Sequence, residues 1–170
     1  MKYNPHLLIA EDDKALASIL DEYLSEHGYH ITSVHRGDDA LQHIQQQHFD
    51  IVLSDIVMPG AGGLDILAAS SADPIKTLVL LMTGYSGIED AIHAVAQGAY
   101  DFVSKPFQLP EIKVRIDNAV RYQSLLRQCA HHETYKNFEA PEGFVSYNYT
   151  QPTKNLATKA YHAGSCAHHV

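Results

Sequence analysis

A chain of 170 residues with 45% hydrophobic and 19% charged side chains is long enough for one domain of ordinary size plus an extension, and too short for two. Its 12 Lys and Arg stand against 20 Asp and Glu, and the imbalance is local: residues 1–125 hold 8 basic and 17 acidic side chains, residues 126–170 hold 4 and 3. An acidic surface repels a phosphate backbone, so direct nucleic-acid binding is disfavoured, while divalent cations are not repelled. No apolar run reaches the roughly 18 residues of a membrane span, and the opening Met1 to His6 lacks the apolar stretch of a secretory signal. These features lead us to expect a water-soluble, cytoplasmic protein in which Cys129 and Cys166 remain thiols.

In chain order, short Val, Ile and Leu runs alternate with segments of helical period. A first strand is predicted at His6 to Ala10, followed by a helix marked by Ala15, Ile19, Leu20, Tyr23 and Leu24 that stops at Gly28. A second strand at His30 to Val34 precedes a helix that follows Asp38 and is marked by Ala40, Leu41 and Ile44. Strands at Ile51 to Ser54 and Thr77 to Met82 flank a helix at Leu64 to Ala69. A fourth helix is predicted at Ile88 to Gln97, a fifth strand at Asp101 to Ser104, and a fifth helix at Glu111 to Leu126 behind Pro110. Runs so apolar suit strands buried on both faces of a parallel sheet. The pattern is (βα)5, a doubly wound α/β fold with five parallel strands, for which the flavodoxin-like order 2-1-3-4-5 is expected. Residues 1–126 form the expected domain. Residues 127–170, where apolar periodicity fades, read as a flexible tail or small appended element, with Phe138, Phe144, Val145, Tyr147 and Tyr149 as material for an added strand.

In open sheets of this kind ligands bind beyond the carboxyl ends of the strands, where the strand order reverses. Glu11, Asp12 and Asp13 directly follow the first strand and Asp55 the third. Clustered carboxylates repel one another unless a cation sits among them, and a hard oxygen site with few protein ligands suits Mg²⁺. Taken singly, each acid is as readily a helix cap or a solvated turn residue. The fourth strand adds Thr83 and the fifth adds Lys105 to the same edge. A carboxylate, a metal, a hydroxyl and an ammonium form the set that attack on a phosphoryl group requires.

These residues resemble the receiver domains of response regulators, relatives of the chemotaxis protein CheY, over about residues 5 to 125. The resemblance rests on Leu7 to Asp13, on Asp55-Ile56-Val57-Met58-Pro59-Gly60, on Thr83-Gly84 and on Gly98 to Phe107. It implies that Asp55 accepts a phosphoryl group from a sensor histidine kinase or phosphotransfer protein in a Mg²⁺-dependent reaction. By the same resemblance Glu11, Asp12, Asp55 and the backbone carbonyl of Val57 hold the metal, and Asp13 is peripheral. Thr83 binds the incoming group, Lys105 pairs with it, and Phe102 is the aromatic that changes rotamer on activation. The resemblance further implies a cis Lys105–Pro106 bond and a switching surface made of the fourth helix, fifth strand and fifth helix (α4-β5-α5), through which partners or a homodimer form. Gly62 departs from the pattern, since many members have an acid there, and the run Gly60-Ala61-Gly62-Gly63 is expected to make this loop pliable.

Two other functions share parts of this signal. A haloacid-dehalogenase-like phosphatase also uses an aspartyl phosphate, but needs an acid two residues after the nucleophile, where this chain has Val57. A pseudo-receiver acting as a docking scaffold would not need the full set of acids, Thr and Lys. No dinucleotide fingerprint or ATP phosphate loop is present. Cys129-x-His131-His132 and His162-x₃-Cys166-x-His168-His169 hold soft metal ligands, at spacings that fit no standard zinc finger.

Overall fold

Burial of the central strands on both faces fixes the architecture. In the computed structural model, which describes residues 4–70, 75–84, 92 and 95–136, five strands form one sheet in the order 2-1-3-4-5: β1 (His6–Ala10), β2 (His30–Val34), β3 (Ile51–Asp55), β4 (Leu78–Thr83) and β5 (Asp101–Ser104). All pairings are parallel. Three helices lie between strands, α1 (Lys14–Glu26), α2 (Gly37–Gln46) and α3 (Gly63–Ser70), and a long last helix spans Leu109–Lys136. The predicted helix at Ile88 to Gln97 lies largely outside the described residues, as do the tail residues from 137 onward, with Cys166 and the aromatic residues considered for an added strand. Cys129 is exposed and unpaired with another cysteine.

Successive strand residues point to opposite faces and feed two separate cores. Leu8, Ala10, Val52, Val79 and Leu81 pack with Ala40 of α2 and Ile66 and Leu67 of α3. Leu7, Ile9, Ile51, Leu53, Leu80 and Met82 pack with Leu20 and Leu24 of α1 and Ile112, Ile116 and Ala119 of the last helix. This partition follows from one rule. Crossovers between parallel strands are right-handed, so the step from β1 outward to β2 puts α1 on one face, and the reversed steps through β3 to β4 put α2 and α3 on the other. The reversal between β1 and β3 opens the crevice that positions the site.

The predicted bounds hold for β1, β2 and β5, the helix predicted at Leu64 to Ala69 gains one residue at each end, and three other elements shift for local reasons. β3 extends to Asp55 because its backbone still pairs with Met82. β4 begins at Leu78, while the hydroxyl of Thr77 donates to the carbonyl of Phe49 at 2.8 Å. The last helix passes Leu126 because polar groups, not apolar ones, hold its later turns. Buried Gln123 donates to the carbonyls of Asp50 and Lys76 at 3.2 and 3.0 Å. Arg127 donates to Asp50 Oδ1 at 2.8 Å and to the carbonyl of Ile75 at 3.1 Å. Asp50, with 4% of its side chain exposed, also accepts the N–H of His6 at 2.8 Å. Among the described residues no helix is long and apolar enough to cross a membrane.

Removing one partner of a buried ion pair leaves a desolvated charge. Arg127→Ala should therefore lower the unfolding free energy by about 2–3 kcal/mol, whereas a loss-of-contact effect at an exposed arginine would be under about 0.5 kcal/mol. Urea denaturation of the two proteins at neutral pH distinguishes these outcomes.

Candidate functional site

The strand register delivers the chemistry to one edge. Ala10 pairs with Ser54, Asp55 with Met82, and Thr83 with Ser104. The next residue of each ladder is therefore Glu11, Asp55, Thr83 or Lys105. Backbone bonds carry the ladders one step further: Glu11 N–H to Val34 O at 3.1 Å, Ile56 N–H to Met82 O at 2.9 Å, and Lys105 N–H to Thr83 O at 2.7 Å. Four residues distant in the chain so become neighbours.

Lys105 is the hub of the cluster. Its ammonium donates to Glu11 Oε2 at 2.6 Å and to Asp55 Oδ2 at 2.5 Å. The other oxygen of each acid accepts a backbone N–H, Glu11 Oε1 from Asp13 at 3.2 Å and Asp55 Oδ1 from Val57 at 3.1 Å. Glu11 is fully buried, Asp55 is nearly so, and Asp12 is exposed. One oxygen from each of Glu11, Asp12 and Asp55 lies within 4.8 Å of the others. Burial pushes the Glu11 carboxyl above its ordinary range; the Lys105 hydrogen bond and charge pull it back and the Asp55 charge adds to the rise. Burial also works against the Lys105 ammonium, but its bonds to Asp55 and Glu11 outweigh that and hold it above its usual pKa.

The remaining expected residues take up distinct places. Thr83 is buried at the end of β4, and its hydroxyl donates to the carbonyl of Gly84 at 3.0 Å rather than to the acids. Phe102 sits within β5 and packs, partly buried, on the core shared with α2 and α3. The Val57 side chain is 77% exposed, and its N–H is committed to Asp55. Asp13 caps α1, accepting the N–H groups of Ala15 and Leu16 at 2.9 and 3.2 Å. The Lys105–Pro106 bond is cis. A cleft of about 430 Å³ lined by Asp13, Leu16, Lys105, Pro106 and Phe107 opens beside the ammonium.

Two contacts escaped the sequence reading. His35 Nδ1 donates to the backbone carbonyl of Glu11 at 3.0 Å, holding the turn that carries the acids; its place directly after β2 was the only signal. The second is the loop after β3. Far from being pliable, it is pinned: Gly63 N–H bonds to Ile56 O at 3.0 Å, Gly37 N–H to Pro59 O at 3.2 Å, and Ala61 N–H to Asp38 Oδ1 at 3.2 Å. Its glycines serve close approach instead.

The donor set fits a small hard cation. Around an octahedral Mg²⁺ with oxygen ligands at about 2.1 Å, adjacent ligands are about 3.0 Å apart and opposite ones about 4.2 Å, so carboxylate oxygens within 4.8 Å of one another are near enough to be drawn together onto one ion. All three donors are oxygens, as Mg²⁺ prefers.

A family model for the response regulator receiver domain matches residues 7–117. This chain belongs to the response regulator receiver family. It is 34% identical over 116 residues to the uncharacterized transcriptional regulatory protein YkoG of Bacillus subtilis, covering 68% of this chain and 51% of that one. To the regulatory protein AtoC of Escherichia coli it is 32% identical over 125 residues, covering 74% and 27%. The chain thus spans about half the length of YkoG and about a quarter of AtoC. Among solved structures, the receiver domain of the Francisella response regulator 1452 aligns with a TM-score of 0.64 at 28% identity, over 70% of this chain and 98% of that one. Full-length FixJ from B. japonicum aligns with a TM-score of 0.66 at 28% identity, over 75% and 63%.

The electrostatics have a measurable sign. A carboxyl whose pKa is raised by folding binds its proton more tightly in the folded chain, so ionising it at neutral pH costs stability that returns as pH falls toward that pKa. Glu11→Gln should be more stable than the parent near pH 7.5 in chelator, with the gap narrowing toward about pH 5.5. Urea midpoints at both values test this; a variant equally destabilised at both would refute it.

Proposed function

We propose that this receiver takes a phosphoryl group on Asp55 from a phosphohistidine donor, a sensor histidine kinase or a phosphotransfer protein, and uses the aspartyl phosphate as a switch. The observation that carries this reading is the Lys105 ammonium held between Glu11 Oε2 and Asp55 Oδ2, with Asp12 within reach. A carboxylate oxygen of Asp55 forms the new O–P bond as the donor's P–N bond breaks, and the released imidazole is neutralised by a proton from solvent. The attacking carboxylate and the phosphoryl oxygens are both negative, so the step needs fixed positive charge and donors already in place. Lys105 supplies the charge, oriented by Glu11. Asp55 is aimed by the Val57 N–H on its other oxygen. Glu11, Asp12, Asp55 and the Val57 carbonyl would hold Mg²⁺, which when bound neutralises charge on the transferring group.

Phosphorylation adds roughly −1.5 to −2 charges. In this reading Thr83 turns from the Gly84 carbonyl toward them, Phe102 fills the space vacated, and the surface of the fourth and fifth helices with β5 changes for its protein partners or for a homodimer. Residues 1–126 act as the receiver and 127–170 as an extension; the protein works in the cytoplasm and turns over slowly, as a switch and not as a conventional enzyme. The names of its relatives support a transcriptional output, with the acidic receiver governing that output without itself contacting DNA. The exposed apolar Val57, standing where an aspartyl phosphatase needs a second acid, weighs against rapid hydrolysis.

Mass spectrometry of the intact chain after acetyl phosphate treatment should show one added phosphoryl group with Mg²⁺ and none with chelator or in Asp55→Asn. Lys105→Ala should slow the transfer by about 100-fold. Labelling that persists in Asp55→Asn, or that ignores Mg²⁺, would overturn the proposal.

A further inference from the structure

The start of α2 meets the loop after β3 more closely than ordinary side chains permit. A Cβ at Gly37 would lie 1.7 Å from the carbonyl oxygen of Ala61, and one at Gly60 would lie 2.3 Å from Asp38 Oδ2. Gly60 has φ +84°, a conformation that favours glycine. Into this gap Asp38 projects a side chain that does not cap its own helix. The cap position is Arg36, with no side-chain capping bond, and Asp38 Oδ1 instead accepts the N–H of Ala61 from across the gap at 3.2 Å. Arg36 Nη2, 3.3 Å from Asp38 Oδ2, steadies the carboxylate from the solvent side.

The same loop begins at the phosphoacceptor. Ile56 N–H is fixed to Met82 O and Val57 N–H to Asp55 Oδ1, while the far side is fixed by Pro59 O to Gly37 and by Ala61 to Asp38. Val57 therefore lies in a short span tied at both ends, and two of the four ties run backbone to backbone. Of the two made by side chains, one belongs to Asp55 itself and the other to Asp38, which alone reaches the loop from α2; Asp65 Oδ2, from within α3, adds a bond to Gly62 N–H at 2.9 Å. From this geometry we infer that Asp38 is a positioning residue for the acid pocket: it clamps the loop so that the Val57 backbone faces the Asp55 carboxylate and the cation held there. This inference rests on the reading of Asp55, Glu11 and Asp12 as a Mg²⁺ site. Asp38 does not touch the reacting groups, and it acts through the Ala61 amide.

Two explanations of any Asp38 effect must be separated, since a carboxylate near a cation also attracts it through space. Asn keeps the Oδ1 acceptor and removes the charge; Ala removes both. Asp38 is exposed, so both variants should melt close to the parent. Mg²⁺ is titrated into the unphosphorylated chain at fixed ionic strength and followed by amide NMR, together with the hydrogen-exchange rate of the Ala61 amide. Asp38→Ala should raise the Mg²⁺ Kd by about tenfold and speed Ala61 exchange, while Asp38→Asn should stay within about threefold of the parent. Asp38→Ala binding as tightly as the parent, or Asp38→Asn weakened as much as Asp38→Ala, would overturn the clamp. A parent chain that binds no Mg²⁺ would instead overturn the reading of the pocket, and the role of Asp38 with it.

Discussion

The ammonium of Lys105 between Glu11 and Asp55 is the contact on which the site depends. Three carboxylates at the end of two adjacent strands would repel one another, and one of them is wholly buried. A single cation shared at 2.6 and 2.5 Å offsets part of that repulsion and leaves the cluster net negative. The raised pKa of Glu11 shows that burial still outweighs the pairing. A pocket in this condition has a standing electrostatic demand for more positive charge, which is the physical ground for proposing a cation there.

Neither Glu11 nor Lys105 could be held there by local structure. Their meeting requires β1, β3, β4 and β5 in register, and the register in turn requires the two apolar sets of each strand to face their own helices. A slip of one residue would exchange the two cores. The polar edge is therefore positioned by packing some distance away. The opposite edge has its own tie, Asp50 with Arg127 and Gln123, which fastens the last helix beside the starts of β1 and β3. Charge is buried at both edges of the sheet, but only the carboxyl edge gathers unlike strands around an excess of one sign.

What the sequence makes legible is whatever periodicity encodes. The apolar runs gave β1, β2 and β5 their bounds, and motif spacing placed Glu11, Asp55, Thr83 and Lys105 at one edge before any geometry was known. Features that rest on polar reach were not legible. Nothing in the spacing of Gln123 and Arg127 announces that they grip carbonyls and Asp50, so the last helix looked finished at Leu126. The glycines at 60, 62 and 63 suggested freedom because composition cannot reveal that the Asp38 side chain would close on Gly60 and the Asp55 carbonyl on Gly63. Asp38 stood just before the predicted helix, and only the backbone shows that the helix already starts at Gly37, with Arg36 in the cap position.

Under the proposed chemistry, the donor inventory of the pocket dictates where a conformational response begins. An ammonium has three N–H donors, and two of those on Lys105 are engaged by Glu11 and Asp55. The third can meet a phosphoryl oxygen without disturbing Glu11, so the arrival of phosphate need not move β5 at its lysine. Further oxygens still need donors, and a donor that can be redirected is the Thr83 hydroxyl, whose one O–H now bonds its neighbour's carbonyl. Recruiting it turns the side chain at the end of β4 while the strand itself stays in its ladder. The buried space this vacates adjoins the core on which Phe102 packs. The change in charge is thus converted into a change in packing at β4 and β5, on the face that carries α2 and α3 but toward the β5 end of the strand order. A rigid loop on one flank and an adjustable strand end on the other let the site hold its metal geometry constant while its surface responds.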